Sequence, residues 1–338
     1  MNFYPLIVSD IIEETSLAKS ITFQLEDKYR STFNYQAGQF LSLRLPWEDS
    51  FLDRSYSLSS SPNENSQLKI TVKRVLDGRA SNLLNDTLKI GDIVDVAAPT
   101  GRFIPTANNI PITLFAAGSG ITPIISIIRH TLKQTELSIS LFYANSNENQ
   151  IIFEQELEQL NKEYPDRFNC LHHLSSDNGR VNKIVIEHFI DSRIQQDFFI
   201  CGPGPFMDLT ESVLQELGVD DKTIFIERFI SDVESTLDPE TLINTNIKSF
   251  NAILDGEQHS VPYLGDKTLL ESMLAHNLKP AYFCQKARCG MCTVTKVTGD
   301  VAMRNSEILS KGDIEKGQIL LCQSLPLTDD ILVNCDTD

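Results

Sequence analysis

From residue 1 to about 102 the chain is built of short runs with apolar residues near every second position. "SITFQLE", "FLSLRLP", "SYSLSSS", "LKITVKRV" and "DIVDVAAP" are examples, and turn residues separate them. A period of two marks strands with one buried face, so this region predicts an antiparallel β-barrel or sandwich. Near residue 110 the pattern changes. "PITLFAAG" is a continuous apolar run, and "SGITPIISIIRHTLKQ" after it reads as a helix. "LSISLFYAN", "FNCLHHL" and "DFFICG" repeat the strand signal; "IIFEQELEQLNKEY" and "GPFMDLTESVLQELG" repeat the helical one. Strands alternating with helices predict an α/β domain on a parallel sheet. Residues 231–247, "SDVESTLDPETLINTNI", hold four acids and no base and read as a linker. Beyond it, "SFNAILDGEQHSVPYL" predicts a β-hairpin and "TLLESMLAHNL" an amphipathic helix. The expected organisation is multidomain: a β-barrel over 1–104, an α/β domain over 105–230, a linker over 231–247 and an α+β domain over 248–338.

Charge and hydropathy narrow the class. The net charge is −17, with 46 acidic and 29 basic residues, which argues against a nucleic-acid or anionic-membrane surface. The uncharged run from Ile110 to Ile128 is long enough to raise a membrane span. Its internal Pro and Gly residues fit a buried strand, a turn and a helix start better. The N-terminus has no basic segment ahead of an apolar one, so a cytoplasmic location is expected. The six His show no metal or catalytic-triad spacing, and His172 and His173 should point to opposite faces of one strand.

The cysteines carry the most chemistry. Cys284, Cys289 and Cys292 follow the pattern C-x4-C-x2-C, and Cys322 lies 30 residues further on. This is the plant-type [2Fe–2S] spacing, with the fourth thiolate remote in sequence. Small residues at 287 and 290 let backbone N–H groups approach the sulfides. A zinc site would pair two C-x2-C knuckles, and one is present. Cys170 and Cys335 read as small apolar residues.

A cluster needs an electron source. "Arg54-Ser55-Tyr56-Ser57-Leu58-Ser59" and "Lys73-Arg74-Val75-Leu76-Asp77-Gly78-Arg79-Ala80-Ser81-Asn82" are each ambiguous, as an exposed strand and a capped turn would look alike. "Ala116-Ala117-Gly118-Ser119-Gly120-Ile121-Thr122-Pro123" follows an apolar strand and opens a helix, and "Cys201-Gly202-Pro203-Gly204" ends a later strand. Two Gly-rich loops at the carboxyl ends of parallel strands make a ligand crevice.

These motifs together, with Glu227-Arg228-Phe229, resemble the ferredoxin–NADP reductase superfamily. The domain order is similar to the reductase components of multicomponent oxygenases. Within them it most resembles the ketosteroid hydroxylase and phenylacetyl-CoA epoxygenase reductases, and phthalate dioxygenase reductase shares the order. The resemblance implies a flavin domain, a nicotinamide-nucleotide domain and a β-grasp ferredoxin domain. It implies that Arg54 holds flavin phosphate, Tyr56 packs on the isoalloxazine and Ser57 bonds its N5, with Ser55 and Lys73 beside them. Gly78, Ala80 and Ser81 would bind the flavin phosphates. Gly118, Gly120, Thr122 and Pro123 would form the nucleotide loop. Cys201 and Gly202 would flank the nicotinamide, with Glu227 and Phe229 at the opposite flavin edge. FAD is expected over FMN. Electrons would pass as a hydride to the flavin and then singly to the cluster.

The second nucleotide strand ends in "Tyr143-Ala144-Asn145-Ser146-Asn147-Glu148", and no Lys or Arg occurs between Lys133 and Lys162, which favours NADH over NADPH. Arg180 on the next loop keeps NADPH open. The expected partner is a terminal oxygenase or hydroxylase, and relatives of this build act as monomers. A hybrid-cluster protein as acceptor and a zinc-containing nucleotide sensor are the competing readings. Lys286 and Arg288 lie in the cysteine loop of an otherwise acidic chain and read as a docking spot for an acidic partner. Reversing both charges is expected to raise the partner's apparent KM and leave NADH-driven ferricyanide reduction unchanged. An unaltered partner KM would exclude that role.

Overall fold

The computed structural model describes residues 2–62, 67–106, 110–191, 193–229, 247–285, 287, 289–306, 308–309 and 311–336. They form two compact units, 2–228 and 229–338. The expected linker falls almost wholly outside the described residues, as do Lys286 and Arg288.

The first unit opens with six strands: β1 (Phe3–Thr15), β2 (Ala18–Gln24), β3 (Phe40–Trp47), β4 (Ser50–Ser57), β5 (Gln67–Lys73) and β6 (Ile93–Ala97). They pair antiparallel in the order β4-β3-β6-β1-β2-β5. A bridge from Leu58, just past β4, to Ile70 of β5 closes the sheet into a barrel. The alternating residues foreseen from sequence fill it, Ile21, Phe23, Leu41, Leu43, Ile70 and Val96 among them, and Leu6 and Val8 of β1 join them. The short helix α1 (Arg79–Asp86) follows β5. It is pinned by the forked Arg74–Asp86 pair, at 2.9 and 2.6 Å.

Five parallel strands follow: β7 (Ile112–Ala117), β8 (Ile139–Asn145), β9 (Phe168–Leu174), β10 (Asp197–Gly202) and β11 (Ile224–Arg228). Their order is β11-β10-β7-β8-β9, so direction of growth reverses between β7 and β10. The helices are α2 (Ile121–Gln134), α3 (Glu154–Glu163), α4 (Ser175–Asn178), α5 (Lys183–Ile190) and α6 (Gly204–Glu216). Every residue of β7 and β10 is buried, as a central strand covered on both faces requires. His172 and His173 do face opposite ways: His172 lies against Tyr143, and His173 stacks on Phe142.

Helix α2 is buried along most of its length, its polar Thr122, Ser126, Arg129 and Thr131 included, so it has little solvent face. Ala18 and Ala37 of the barrel region and Phe103 after it pack into the same core as α2 and β7. The barrel and the parallel sheet therefore share apolar contacts.

In the second unit, β12 (Ser249–Leu254) and β13 (Glu257–Pro262) form the expected hairpin. Its Asp255-Gly256 turn has φ of 55° and 77°, the two left-handed positions a tight hairpin demands. Helix α7 (Leu269–Ala275) is started by a capping box of Thr268 and Glu271. The strands β14 (Thr293–Thr298), β15 (Val301–Met303), β16 (Gln318–Leu320), β17 (Ser324–Pro326) and β18 (Leu332–Asn334) complete it, with α8 (Lys311–Glu315). The main sheet runs β13-β12-β18-β14-β16 and is mixed, since β12 and β18 are parallel. Leu269, Leu270 and Met273 of α7 pack onto it.

Gly38 sits at the seam between barrel and α2, with φ of 91°. A Cβ there would lie 1.8 Å from the Phe103 carbonyl oxygen and 3.3 Å from Ile127. Gly38→Ala is expected to cost at least about 1–3 kcal/mol from backbone strain. A urea midpoint unchanged from wild type would contradict this.

Candidate active site

Strand β4 carries the first set of expected residues. Its register with β3 is unbroken from Ser57–Phe40 to Ser50–Trp47, so Arg54 and Tyr56 share one face and Ser55 and Ser57 the other. Tyr56 pairs across from Leu41 and packs against the barrel core; burial pushes its phenol well above the ordinary range. Arg54 donates to the Asp53 carbonyl at 2.9 Å. The Ser55 hydroxyl is already paired with Ser42 at 3.1 Å. Ser57 differs: it is 3% exposed, and its Oγ has no hydrogen-bond partner among the described residues. A buried hydroxyl left without a partner costs about 1–3 kcal/mol, so such a group calls for a ligand. That fits a flavin heteroatom.

Gly78 precedes α1, and the residues after it are the buried Ala80 and Ser81. Ser81 Oγ accepts from the Val75 N–H at 3.1 Å, which shapes the turn. A Cβ on Gly78 would lie 2.5 Å from that Oγ. The turn is thus tight enough to bring the first N–H groups of α1 together, where an anion is favoured.

The residues expected to hold the nucleotide gather at the carboxyl ends of β7 and β10. Cys201 pairs in register with Ala116 on one side and Glu227 on the other. A Cβ on Gly120 would lie 2.0 Å from the Cys201 carbonyl oxygen and 2.7 Å from the Gly202 nitrogen. Gly120 is thus a glycine because the two strand ends cross over it, which sequence reasoning had credited to ligand approach. Gly118 suits the ligand instead. Its φ is 54°, and a Cβ there would meet only the Lys73 ammonium, at 3.6 Å. Lys73 reaches this loop from β5 and donates to Gln150 at 3.3 Å. Thr122 Oγ1 caps back to the Ser119 carbonyl at 3.0 Å, and Pro123 is buried in the first turn of α2.

Burial dominates the electrostatics here. It raises the Glu227 carboxyl to about 8 and pushes the Cys201 thiol up, with Glu227 adding to the latter. Both side chains are therefore mainly neutral at pH 7. Phe229 follows β11 at the start of the second unit and is 43% exposed.

In the second unit the four expected cysteines come together. Cys292 Sγ lies 3.2 Å from Cys322 Sγ, and Cys289 hydrogen-bonds Cys284. The thiols thus form two close pairs, and each pair is near enough to act electrostatically on the other. Among the described residues no three His, Cys, Asp or Glu side chains converge to hold a single ion. Two thiol pairs are what a two-iron cluster takes, two ligands to each iron. The loop supplies the rest of the setting. Gln285, Ala287 and Gly290 all have φ between 53° and 64°, which turns the backbone inward. The Met291 N–H bonds the Cys289 sulfur, and the Ala287 N–H and Gln323 Nε2 bond that of Cys322. Such donors favour the thiolate form. Cys170 and Cys335 stand apart, and burial raises each thiol to about 12.

Several residues escaped sequence reasoning: Gln150 beside Lys73, Gln323 beside Cys322, and Ser126 and Arg129 of α2, which bond the Ser60 and Ser59 carbonyls just past Ser57. For Arg129 there was a signal, because it is the first charge after the long apolar run.

Comparison with known proteins agrees with this architecture. Residues 6–104 match the model of the oxidoreductase FAD-binding domain, 114–212 the oxidoreductase NAD-binding domain, and 252–327 the 2Fe-2S iron-sulfur cluster binding domain. These matches define a class: oxidoreductases that combine FAD, a nicotinamide nucleotide and a [2Fe–2S] cluster on one chain. The chain is 37% identical over 335 residues to the ferredoxin reductase component of 3-ketosteroid-9-alpha-monooxygenase from Rhodococcus rhodochrous, covering 97% of this chain and 95% of that one. It is 31% identical to one of the subunits of the 1,2-phenylacetyl-CoA epoxidase of Escherichia coli strain K12, covering 99% and 98%. Phthalate dioxygenase reductase shares the fold, with a TM-score of 0.62 at 22% identity and 98% coverage of both chains. An intact type IV self-sufficient cytochrome P450 monooxygenase shares the fold in 41% of its length, covering 98% of this chain with a TM-score of 0.73 at 21% identity. The chain belongs to the family of flavin- and [2Fe–2S]-dependent oxygenase reductase components.

Glu227 gives a pH signature. Its carboxyl is raised in the folded chain from an ordinary 4.5 to about 8, so folding favours the neutral acid. The associated stability is complete below pH 4.5 and is lost as pH rises to about 8. Urea midpoints of Glu227→Gln should fall less than those of the wild type between pH 5 and 8. Parallel pH profiles would refute the assignment.

Proposed function

We propose that this chain accepts a hydride from NADH and delivers single electrons to the terminal oxygenase or hydroxylase of a multicomponent system. The observation that carries the reading is the two close thiol pairs, Cys284 with Cys289 and Cys292 with Cys322, on the same chain as a crevice at the reversal point of a parallel sheet. Flavin bridges the two, since it takes electrons in pairs and releases them singly.

The side chains bind, orient and keep water out. Ser57 offers its buried hydroxyl to the flavin. Arg54, with the N–H groups around Gly78, Ala80 and Ser81, neutralises flavin phosphate. The Gly118 loop and the start of α2 take the pyrophosphate of the nucleotide, with the Lys73 ammonium beside them. Cys201 and Glu227, both mainly neutral, line the nicotinamide position without placing a fixed charge on it. No proton transfer by a side chain is needed for hydride transfer itself. Phe229 is assigned to the flavin edge on the resemblance alone.

NADH is favoured because β8 ends at Asn145, and Ser146, Asn147 and Glu148 follow it, where a 2′-phosphate would call for a cation. The second reading, NADPH, rests on the exposed Arg180. Its loop follows α4, whose Ser176 N–H bonds the Ser146 carbonyl at 2.9 Å. The relatives named above serve a ketosteroid monooxygenase and a phenylacetyl-CoA epoxidase. An oxygenase of that type is the proposed partner, and a cytoplasmic monomer the proposed form.

Anaerobic titration with NADH is expected to bleach the flavin bands and raise the paramagnetic signal of a reduced [2Fe–2S] cluster. NADPH should do so at least about tenfold more slowly. Ser57→Ala should slow flavin reduction by about 10²-fold, the cost of removing one preorganised donor. Flavin bleaching with no cluster signal would overturn the electron path, and faster reduction by NADPH would overturn the choice of nucleotide.

A further inference from the structure

The strand that carries Ser57 runs on through Leu58 to Ser59 and Ser60, and both serine carbonyls are claimed by α2. Ser126 Oγ donates to the Ser60 carbonyl at 2.6 Å, and Arg129 Nη1 donates to the Ser59 carbonyl at 2.6 Å. Arg129 is 8% exposed, and its Nε and Nη2 form a forked ion pair with Glu156 of α3. The barrel holds the same two serines from its own side. Ser59 Oγ bonds Thr71 at 2.8 Å, and Ser60 Oγ bonds the Tyr35 hydroxyl at 2.8 Å and accepts the Lys69 N–H at 3.1 Å. The Ser59 N–H donates to the Lys69 carbonyl at 2.7 Å.

This segment is thus gripped on both sides. Three residues before Ser60 lies the orphaned Ser57 hydroxyl, and at the start of α2 lies the Gly118–Gly120 loop. One rigid connection therefore joins the group that faces the flavin to the loop that faces the nucleotide. A buried ion pair adds little to stability compared with well-packed apolar residues. A guanidinium does offer something no apolar residue can: donors in a fixed fork that bind a carboxylate and a carbonyl at once.

We propose that Arg129, with Ser126 and Glu156, is a positioning device that sets the separation of hydride donor and acceptor. Arg129 acts through the Ser59 carbonyl and through the seating of α2. The inference rests on the hydride-transfer reading above. A misplacement of about 1 Å costs a reaction of this kind on the order of 10²-fold in rate.

The test compares Arg129→Ala, Arg129→Lys and Ser126→Ala as full-length holoprotein. Anaerobic stopped-flow reduction of the flavin by NADH should slow by about 10²-fold in Arg129→Ala and measurably in Ser126→Ala. The long-wavelength charge-transfer absorbance of nicotinamide against flavin should weaken in parallel. The NAD⁺ dissociation constant from calorimetry should stay within about twofold, because the binding loop is untouched. Arg129→Lys keeps the charge beside Glu156 without the fork, so it should restore the melting temperature and not the rate. If Arg129→Ala fails to fold, the other two variants decide the matter. Wild-type rates and charge-transfer absorbance in Arg129→Lys and Ser126→Ala would overturn the proposal, as would slowing that merely tracks loss of FAD. A wild-type protein that NADH does not reduce at all would instead overturn the reading on which it rests.

Discussion

The two strand ends at the reversal point of the parallel sheet meet over Gly120, with no room for a single carbon between them. Much of the candidate nucleotide site depends on that crossing. It brings Cys201 and Gly202 beside the loop of β7, and register then sets Glu227 next to Cys201. The crevice exists because β7 and β10 send their chains to opposite faces of the sheet. A side chain at 120 would force the strand ends apart and open the site that the reversal creates.

From this point α2 carries the arrangement outward. Its apolar surface is shared between the parallel sheet and residues of the barrel, Ala18 and Ala37 among them. Apolar packing supplies attraction but little direction. Direction comes from the few polar contacts set into it, those of Ser126 and Arg129 to the Ser59 and Ser60 carbonyls. The same division appears in the second unit. Leu269, Leu270 and Met273 hold α7 to its sheet, and the placement of sulfurs is left to N–H groups and left-handed residues. Gln285 and Ala287 occupy that region without being glycine, at a cost of about 1–3 kcal/mol each. Two close thiol pairs would be a liability in a plain structural region, since proximity to the partner thiol and burial raise the Cys289 and Cys292 thiols. Iron would remove that cost by taking the thiolates as ligands.

Much of the fold was legible along the chain because its signals are local. Alternation in the first hundred residues, strands spaced by helices in the next segment, and the hairpin and amphipathic helix that follow residue 248 each depend on neighbours a few residues apart. The cysteine spacing was legible for the same reason: a loop that wraps a cluster needs C-x4-C-x2-C in one stretch, and only Cys322 had to be sought elsewhere. The motif residues Gly118, Cys201 and Glu227 could be named as candidates, and the structure brings them to one end of one sheet.

What sequence could not supply were relations across distance. Barrel closure rests on Leu58 meeting Ile70, and nothing in either segment announces it. Gly118 and Gly120 look equivalent in "GSG", yet one faces open space beside Lys73 and the other a carbonyl far along the chain, that of Cys201, at less than contact distance. Arg129 showed as a lone charge, but its partners Ser59 and Glu156 lie 70 and 27 residues away. Periodicity and spacing record which surface a residue must bury and which neighbours it turns with. They do not record what lies against that surface, because that depends on how the strands are ordered and crossed. The sequence by itself therefore determined the modules and their chemistry. The tertiary structure alone decided which glycine makes room for a ligand, which serine is left without a partner, and what holds the two halves of the first unit in register.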